Sequence, residues 1–547
     1  MIKRTRLPAV LLLLAIAQTT FAQTAAVRHQ HFDVQMDAAS AHEGRGRLLI
    51  FASEAGAAEA AALAQSKGKS RDVTQVDANP FAATQTTVAA REVGLLKPGQ
   101  TISVDGDTLV FPGQFSALPP GDYYVQAVLD VDHSYNYTGR HAGDMVSGVV
   151  KMHLPSMDVP LLKLSATLPA SDSWALPAAA SGDPAAISAS KAAREHAHPI
   201  DVGSKLMTAF WGRPVALRGW VLTPPGYEQS NKERYPTVYV TSGFGGTLDG
   251  LVRPMVATYG MMARGETPPM IWVFLDHASA TGTHEFADSV NNGPWGEALT
   301  RELIPQLEAS YRMDGRASGR FLTGHSSGGW STLWLQTRYP ALFGGTWSTS
   351  PDPSDFHDFT GVDLYAPGAN MYRKADGSPY PLVRDKGEVK GTVEQFAGLE
   401  QVLGEYGGQL ASLEWVFSPR GADGRPQPVF DRATGAVDPA VVQYWHDHYD
   451  IANLVQKNWP ALRPDLDGKI HVIVGTADTF YLDGAARKLQ AVLDGLHARS
   501  SFTYLQDKTH FDLYARGDDR LALNKQISWD MYALARPKSA LKAPALR

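Results

Sequence analysis

The sequence predicts an α/β protein in which a smaller all-β part precedes a larger part built on a mostly parallel sheet. In the C-terminal part, apolar runs of strand length, such as 270–276 and 470–475, alternate with helical stretches, which is typical of a parallel sheet. Residues 27–165 instead carry short strand patterns separated by Gly, Pro and Asp turns, with one helical stretch at 57–65. A chain of 547 residues is also too long for one hydrophobic core, so at least two domains are expected.

Residues 1–22 are typical of a secretory signal peptide. Basic residues at the start are followed by an apolar run at 7–17 and by the small residue Ala22 before Gln23. This run is shorter than the roughly 18 apolar residues that a membrane anchor needs, and no later run is long enough, so no stable membrane insertion is expected. The chain has no cysteine and hence no disulfides. These features fit a bacterial periplasmic or secreted protein, and they do not decide between the two.

The composition is that of an ordinary globular protein. Hydrophobic residues make up 44% of the chain, the net charge is −6, and no basic tract occurs beyond the N-terminus, so no nucleic-acid partner is expected. The sequence contains no metal motif of the H-E-x-x-H or paired-Cys type. The pairs His196/His198 and His446/His448 offer too few ligands to predict a site. We therefore expect neither a metal nor another cofactor.

The pattern of residues 27–165 predicts a β-sandwich domain, immunoglobulin-like in its short strands and regular turns. The sequence leaves the role of this domain open. Its aromatic cluster comprises Tyr123, Tyr124, Tyr135 and Tyr137. These tyrosines could bind a sugar or a polymer, but aromatic side chains more often pack in a core or an interface, which favours a structural domain docked on the rest of the chain.

Residues 324–328, with the sequence Gly-His-Ser-Ser-Gly, fit the G-x-S-x-G pattern of a nucleophile elbow. An elbow is a sharp strand-to-helix turn with a strained serine at its apex, so the residues two before and two after must be small, as the glycines are. The context agrees, because 317–323 predicts a strand and 331–339 predicts a helix. Ser326 is therefore the predicted nucleophile.

An acid and a histidine follow Ser326 in the order that a catalytic triad with an elbow serine requires. Asp478 comes directly after the strand run 470–475, and His510 lies in the loop after a predicted strand at 501–505. In an open parallel sheet, ligands bind outside the carboxyl ends of the strands. All three side chains are expected at that edge.

These motifs resemble the esterase D and enterochelin-esterase-like branch of the α/β-hydrolases, over about residues 204–537. The segments that carry the resemblance are 235–243, 302–305, 324–329 and 475–484. The resemblance implies that Ser326 is the nucleophile, Asp478 the acid and His510 the base. Asp483 is the second candidate for the acid, ranked lower because strand-end carboxylates usually fill this role.

The resemblance also implies an oxyanion hole. Its two donors would be the backbone N–H of Phe244, in the glycine-rich loop 243–246, and that of Ser327, directly after the nucleophile. Two aligned N–H groups bind the charge that develops only in the tetrahedral state. The loop at 284–296 lies on the same sheet edge, and Asn291 could equally cap the helix that follows. The candidate substrate-binding residues in this loop are His284, Asn291 and Trp295.

The predicted architecture is an α/β-hydrolase domain with a cap-like insertion, preceded by the N-terminal β-sandwich. Its limits are a signal peptide at 1–22, the sandwich at 27–165, a linker at 166–203, the hydrolase domain at 204–537 and a disordered tail at 538–547. The insertion, at about 351–450, is longer than this fold needs and is expected to cover the active site, exclude water and shape specificity. Its aromatic residues Tyr444 and Trp445 are further candidates for substrate binding.

The expected activity is that of a serine esterase that hydrolyses carboxylic esters through an acyl-enzyme. The substrate could be a small-molecule ester or one linked to a polysaccharide, since the fold alone does not fix it. An acyltransferase of the same fold and a serine peptidase stay open as alternatives. A non-catalytic binding module is less consistent with the sequence, because binding has no chemical need for a complete triad. The sequence does not predict the oligomeric state.

Overall fold

A computed structural model describes residues 28–176, 181–229 and 232–544 of the chain. The predicted signal peptide at 1–22 and the last positions of the predicted tail, 545–547, lie outside the described residues. Across the described ranges, no helix combines the length and the apolar character needed to cross a membrane.

In the described N-terminal part, nine strands form one hydrogen-bonded sheet. They are β1 (His31–Met36), β2 (Gly44–Glu54), β3 (Thr86–Leu96), β4 (Thr101–Asp105), β5 (Val110–Phe111), β6 (Gly121–Asp130), β7 (Met145–Ser147), β8 (Val150–Leu154) and β9 (Leu161–Thr167). The order is β4-β1-β9-β7-β6-β2-β3-β5, with β8 pairing with β6 outside this path. The pair β1 and β9 is parallel, whereas pairs such as β2 with β3 and β6 are antiparallel.

Both faces of this sheet are buried. Successive side chains of a strand point to opposite faces, so neighbouring residues of β2 report on the two faces separately. On β2, Ile50 packs into a core made of N-terminal strands alone. Its neighbours Leu49 and Phe51 pack on the other face, in a second core that also contains Leu399 and Leu403 from the C-terminal part. The N-terminal sheet is therefore docked on the rest of the molecule. The immunoglobulin-like sandwich stays a prediction, because a continuous strand order does not by itself define two packed sheets.

The C-terminal part is built on an eight-stranded sheet with the order β10-β11-β13-β12-β18-β19-β22-β23. Its strands are β10 (Ala197–Gly203), β11 (Ala216–Leu222), β12 (Thr237–Thr241), β13 (Ile271–Leu275), β18 (Arg320–His325), β19 (Gly345–Thr349), β22 (Ile470–Gly475) and β23 (Ser500–Leu505). Three two-stranded ribbons complete the strands: β14 (Ala278–Ser279) with β15 (Gly282–Thr283), β16 (Asp288–Ser289) with β17 (Gly293–Pro294), and β20 (Pro381–Asp385) with β21 (Glu388–Thr392). In the main sheet β11 is antiparallel to both neighbours and the pairs from β13 to β23 are parallel. This is the α/β-hydrolase fold.

Helices cover both faces of this sheet. Two helices, α1 (Ala55–Gln65) and α2 (Tyr135–Thr138), belong instead to the N-terminal part. The helices that follow the N-terminal sheet are α3 (Pro184–Glu195), α4 (Lys205–Trp211), α5 (Val252–Ala263), α6 (Trp295–Ala298), α7 (Ile304–Ser310), α8 (Ser327–Arg338), α9 (Val393–Leu403), α10 (Gln409–Phe417), α11 (Pro439–His448), α12 (Ile451–Leu466), α13 (Asp483–Gly495) and α14 (Ala522–Ala535). On β12, Tyr239 joins the core that α6 and α7 complete, while Val238 joins the opposite core with α5 and α14. The sheet edge that carries the loops is thus held between two packed layers.

The chain between β19 and β22 forms a compact insertion rather than a simple crossover. It contains the β20–β21 ribbon and helices α9 to α12. Phe356, Phe396 and Trp445 of this segment share one core with Trp330 on α8, the helix that follows the elbow. The insertion is therefore packed directly on the helix that carries the predicted site.

Three predicted elements differ in the structure. Strand β10 lies within the segment that the sequence assigns to a linker, and it pairs with β11 along its whole length. It was difficult to recognise because an edge strand with a proline and one buried side chain, Ile200, shows no apolar alternation. The amphipathic pattern at 394–413 predicts a single helix, whereas the structure has two, α9 and α10, separated by a glycine-rich turn in which Gly407 has φ 81°.

The third element is the helix that the apolar spacing predicts at 297–311, with Pro305 expected to kink it or split it in two. A π-helical turn, Leu299–Leu303, separates α6 from α7, and Pro305 is near the start of α7. A proline lacks the N–H that continues an α-helical ladder, so the hydrogen bonds upstream must rearrange. The interruption expected from Pro305 is present as this π-helical turn, which joins α6 and α7 without a gap.

Candidate active site

Ser326 occupies the turn between β18 and α8 with φ 59° and ψ −127°, a strained backbone conformation for a residue with a side chain. A Cβ on Gly324 would lie 2.1 Å from Gly328 O, and a Cβ on Gly328 would lie 2.3 Å from Thr241 O. The missing side chains at both positions allow β18, α8 and β12 to approach this closely. The sharp strand-to-helix turn expected from the sequence is present.

His510 and Asp478 lie side by side at the carboxyl edge of the sheet. His510 Nδ1 is 2.9 Å from Asp478 Oδ2, and both side chains are buried. The two residues follow β23 and β22, which are parallel neighbours, so the strand ends bring them together. A carboxylate at Nδ1 holds the proton on that nitrogen and leaves Nε2 free to accept another.

The Asp478 carboxylate is stabilised in its charged form. Burial by itself would raise its pKa, but the hydrogen bond and charge of His510 and the N–H of Phe480 hold the pKa of Asp478 below its ordinary value. The N–H groups of Phe480 and Leu482 donate to Asp478 Oδ1 at 2.9 and 3.4 Å. The group beside His510 is therefore an anion at neutral pH.

Asp483, the second candidate acid, has different partners. Its Oδ1 lies 3.1 Å from Arg384 Nη2, and Arg487 lies on its other side. Arg384, which belongs to β20 of the insertion, also donates from Nε to the Asp478 carbonyl at 2.7 Å. The insertion thus fixes the loop that carries Asp478, a contact that the sequence did not reveal.

The nucleophile and the base are close but not hydrogen-bonded. The rings of His325 and His510 lie 4.3 Å apart, which brings the base against the residue before Ser326. In the part of the chain that the structure describes, Ser326 Oγ makes no hydrogen bond to His510 and donates to Asp352 Oδ1 at 3.4 Å. Catalytic hydrogen bonds are often long or misaligned without substrate. This geometry is therefore compatible with His510 or with Asp352 as the partner of Ser326 Oγ.

Two buried carboxyl groups lie beside the elbow that no sequence motif singles out. Asp352 accepts from Ser327 Oγ at 2.7 Å, and Glu285 accepts from Ser331 Oγ at 2.6 Å. Burial raises the pKa of Asp352, although the hydrogen bond from Ser327 opposes the shift. Burial and the charge of Asp352 raise the pKa of Glu285 well above its ordinary value. The position of Asp352 just beyond β19, at the same edge as Asp478, was the signal that could have found it.

The loop at 243–246 begins next to the nucleophile. A Cβ on Gly243 would lie 3.1 Å from Ser326 Cβ and 3.7 Å from its Oγ, so this backbone is within reach of a group bound at the serine. Helix α8 begins at Ser327, and the free N–H groups of its first turn face the N-terminal end where Ser326 stands. Phe244 and Ser327 thus lie in the two segments that border Ser326.

A narrow apolar pocket adjoins these groups. Asp352 and Phe480 belong to its wall, and the Phe480 ring lies 4.8 Å from the His510 ring. Its cavity volume is about 40 Å³. The insertion supplies most of the remaining wall, including Phe359, Met371, Leu382, Phe396, Leu410 and Leu413. A group held here would contact mostly apolar side chains, with Asp352, Thr360 and Gln409 as the polar members of the wall.

The predicted pocket residues of the 284–296 loop are mostly interior. His284 is fully buried and stacks on Trp295 at 3.8 Å, and burial lowers the pKa of His284 well below its ordinary value. Asn291 is also fully buried and donates from Nδ2 to Ser418 O at 2.8 Å. Trp295 lines a larger cleft of about 500 Å³ whose walls include Trp211 and Trp415. Of the three, only Trp295 borders a cavity described here.

The two aromatic residues predicted in the insertion are not part of the narrow pocket. Trp445 is 1% exposed, its indole N–H donates to Ser418 Oγ at 3.0 Å, and its ring packs among phenylalanines. Tyr444 stacks on His448 at 4.0 Å. The structure therefore places Trp445 in the core of the insertion rather than on a binding surface, because the helix face that carries it points inward.

Comparison with known families identifies one match. Residues 216–495, just over half of the chain, match the family described as "Putative esterase". This range contains β11 to β22, the elbow, the insertion and Asp478, and it ends before His510. No curated protein matches the chain significantly.

Solved structures resemble the chain weakly and over part of its length. A ferulic acid esterase has 13% identity, covers 62% of this chain and 97% of its own, and has a TM-score of 0.37. An S-formylglutathione hydrolase from Agrobacterium tumefaciens has 14% identity, covers 62% and 94%, and has a TM-score of 0.34. FphF, a fluorophosphonate-binding serine hydrolase of Staphylococcus aureus, has 10% identity, covers 62% and 98%, and has a TM-score of 0.35. These scores are too low to carry an argument about substrate.

Proposed function

The chain belongs to the esterase family that matches residues 216–495 and is a carboxylic ester hydrolase, and from that premise we propose that it works through Ser326, His510 and Asp478. The observation that carries this proposal is the 2.9 Å contact between His510 and Asp478 beside the strained serine of the elbow. An acid, a base and a serine at one sheet edge have the arrangement that acyl transfer requires.

In the first half of the proposed reaction, Ser326 Oγ attacks the ester carbonyl carbon and its proton passes to His510 Nε2. The C–O bond of the ester breaks, and the leaving alcohol takes that proton from His510. In the second half, His510 removes a proton from water, which attacks the acyl-enzyme. The acid product leaves and Ser326 regains its proton. Asp478 orients the imidazole and stabilises its charged form throughout.

We assign the oxyanion hole to the N–H groups of Phe244 and Ser327. The closeness of Gly243 to Ser326, with a virtual Cβ at 3.1 Å, supports the first donor. The start of α8 at Ser327 supports the second, because the helix dipole favours negative charge at that end. Removing one such donor typically costs about 2.7–4 kcal/mol of transition-state stabilisation.

The narrow pocket beside Asp352 is the proposed site of the acyl group, and the insertion that walls it is the proposed cap. A volume of about 40 Å³ and an apolar wall favour short acyl chains over bulky ones. Export, to the periplasm or outside the cell, is proposed from the signal-peptide pattern of residues 1–22. An exported esterase of this kind would act on small-molecule or polysaccharide-linked esters.

The nucleophile is tested with a fluorophosphonate probe and p-nitrophenyl acetate. The Ser326→Ala variant should lose labelling and turnover while its Tm stays near that of the wild type, because Oγ is the only group removed. Ser348→Ala is the matched control, since Ser348 is a fully buried serine on β19. It should still label. Labelling that persists in Ser326→Ala would move the nucleophile elsewhere.

A further inference from the structure

The N-terminal part of the chain reaches the loop at 243–246 through Tyr137. The Tyr137 hydroxyl donates to Gly246 O at 2.8 Å, and its ring meets the Phe244 ring edge to face, with centroids 5.0 Å apart at 84°. Tyr137 belongs to α2, a short helix that follows β6 of the N-terminal sheet. Phe244 thus has a residue from another part of the molecule against its side chain.

The loop is a glycine-rich turn closed by one backbone hydrogen bond of its own, from Gly246 N–H to Gly243 O at 3.1 Å. Gly245 has φ 78°, and a Cβ there would lie 3.2 Å from Tyr137 O. A Cβ on Gly246 would overlap Ser242 Oγ at 2.0 Å. Because three of its four residues are glycines, which have the widest backbone freedom, contacts from outside the loop add to that one bond in fixing its backbone conformation.

Two such contacts hold the loop at its two ends. At the first end, His277 Nε2 lies 3.2 Å from Gly243 O. At the other end, Tyr137 binds Gly246 O. Phe244, whose N–H we assign to the oxyanion hole, lies between these two anchors. The direction of that N–H is therefore set from both sides.

Tyr137 is itself rigidly held. Its side chain is 9% exposed. The neighbouring Asn136 donates from Nδ2 to Glu400 O at 3.0 Å and to Gly404 O at 2.9 Å, which ties α2 to the insertion. Asp130 accepts from the N–H groups of Ser134 and Tyr135 at 3.1 Å each. A side chain fixed in this way can position a loop with little loss of entropy.

We propose that Tyr137 is a positioning residue of the esterase site, which acts through Phe244 to aim the first oxyanion donor. The inference rests on the proposed function, since it requires Phe244 N–H to be that donor. It gives the N-terminal part a role in catalysis, because one of its side chains holds the loop that carries the first proposed donor. Neither a sugar-binding role nor a purely structural role is needed to account for Tyr137.

Replacing Tyr137 should weaken stabilisation of the transition state more than binding of the ester. A loop that aims its N–H poorly still binds the ester but stabilises the oxyanion less, so kcat falls while KM changes little. Tyr137→Phe removes one hydrogen bond and keeps the ring against Phe244, so kcat should fall about 3- to 10-fold. Tyr137→Ala removes both contacts and should cost about 10- to 100-fold, less than the roughly 10²- to 10³-fold loss of a whole donor.

The experiment measures kcat and KM for p-nitrophenyl acetate per active site titrated with the fluorophosphonate probe. Inhibition by phenylboronic acid is measured on the same samples, because its tetrahedral adduct with the serine uses the oxyanion hole. Tyr123→Phe is the matched control. Tyr123 is 6% exposed, its hydroxyl donates to a backbone carbonyl, Pro119 O, at 2.9 Å, and it packs in the core made of N-terminal strands alone.

We expect Tyr137→Phe to lower kcat and the affinity for phenylboronic acid by similar factors, with KM retained, and Tyr123→Phe to leave all three unchanged. The inference is overturned if Tyr137→Phe matches the Tyr123→Phe control, or if Tm falls while kcat per titrated site is constant. Ser326→Ala is assayed in parallel. If Ser326→Ala still turns over, the proposed nucleophile has failed; if it is inactive and Tyr137→Phe is normal, only the role of Tyr137 has failed.

Discussion

At the scale of single residues, three carboxyl groups compete for the role of the acid, and their partners separate them. Asp478 contacts His510 at 2.9 Å, Asp352 contacts the serine hydroxyl at 3.4 Å, and Asp483 pairs with Arg384. Asp478→Asn should lower kcat by about 10⁴, since an amide can stabilise the wrong imidazole tautomer. Asp352→Asn and Asp483→Asn should stay within a few-fold of the wild type. Steady-state kinetics on the three variants checks this ranking.

The two milder variants serve as controls for the first, because each changes one buried or half-buried carboxylate to its isosteric amide. A larger loss in Asp352→Asn than in Asp478→Asn would make Asp352 the acid. The sequence predicted Asp478 because a carboxylate just past a strand is a recognisable pattern. Asp352 also lies just past a strand, β19, but only the folded chain shows that its backbone returns to the elbow, where Asp352 N–H donates to Ser326 O at 3.2 Å.

At the scale of elements, the elbow depends on glycines that no other residue can replace. A Cβ on Gly328 would lie 2.3 Å from Thr241 O and 2.4 Å from Ser242 O, which are backbone atoms of β12 and its extension. Gly328→Ala should therefore lower Tm strongly and abolish ester hydrolysis. Gly495→Ala is the control, because a Cβ there meets nothing within 4 Å at the end of α13. Its Tm should be unchanged or higher, since alanine is favoured over glycine in a helix by about 0.5–1 kcal/mol.

The contact between α9 and α10 should make stability depend on pH. Glu400 on α9 accepts from Leu410 N–H at the start of α10, and burial raises the pKa of Glu400 to about 7 from 4.5. Because folding raises this pKa, the contribution of Glu400 to the free energy of unfolding is highest below about pH 4.5. It falls as the pH rises and levels off above about pH 7, by on the order of 3 kcal/mol in total.

Glu400→Gln removes this titration and keeps an oxygen for Leu410 N–H. The difference in Tm between the variant and the wild type should therefore grow from pH 4.5 to pH 7 in favour of the variant. Thermal melts at half-unit steps measure it. Asp447→Asn is a control for the general effect of removing a carboxylate, because Asp447 lies on the exposed face of α11. A constant difference across this pH range would contradict the assignment.

How far the elements could be predicted depended on their burial. Strands such as β13 and β22 are buried along nearly their whole length, and their apolar runs were visible in the sequence. Strand β10 lies in the segment predicted as a linker. Ile200 is the one buried side chain of this edge strand, so its sequence shows no alternation of apolar and polar residues. The division of the insertion into α9 and α10 was also not visible, since the apolar pattern continues across the break.

At the scale of the whole molecule, the parts meet around the proposed site in a way that sequence patterns do not report. Phe81 of the N-terminal part contacts Phe480 and Phe511, with centroids at 5.4 and 5.6 Å, and these two rings flank His510. Arg47 donates from Nε to Val402 O of the insertion at 2.8 Å. Contacts between residues hundreds of positions apart follow from docking, and docking depends on surface shape rather than on periodicity.

The insertion forms most of the wall of the narrow pocket beside Asp352. If this pocket holds the acyl group, its volume of about 40 Å³ limits chain length, and enlarging it should admit longer chains. Leu410 lines the pocket, so Leu410→Ala should shift the preferred p-nitrophenyl ester towards longer acyl chains, with a higher kcat/KM for butyrate or hexanoate relative to acetate. The measurement is kcat/KM across an acetate-to-octanoate series.

A leucine-to-alanine change in any core leaves a cavity and lowers the free energy of unfolding by about 2–5 kcal/mol. The control variant must therefore lose a similar amount of stability. Leu403→Ala is such a control, because Leu403 is 6% exposed and Leu410 is 8% exposed. Leu403 packs against the N-terminal sheet, away from the pocket. Both variants should lose Tm, but only Leu410→Ala should change the chain-length profile, because only that cavity is continuous with the space beside Asp352. An unchanged profile in both variants, or the same shift in both, would mean that the insertion packs on the sheet without selecting the acyl group.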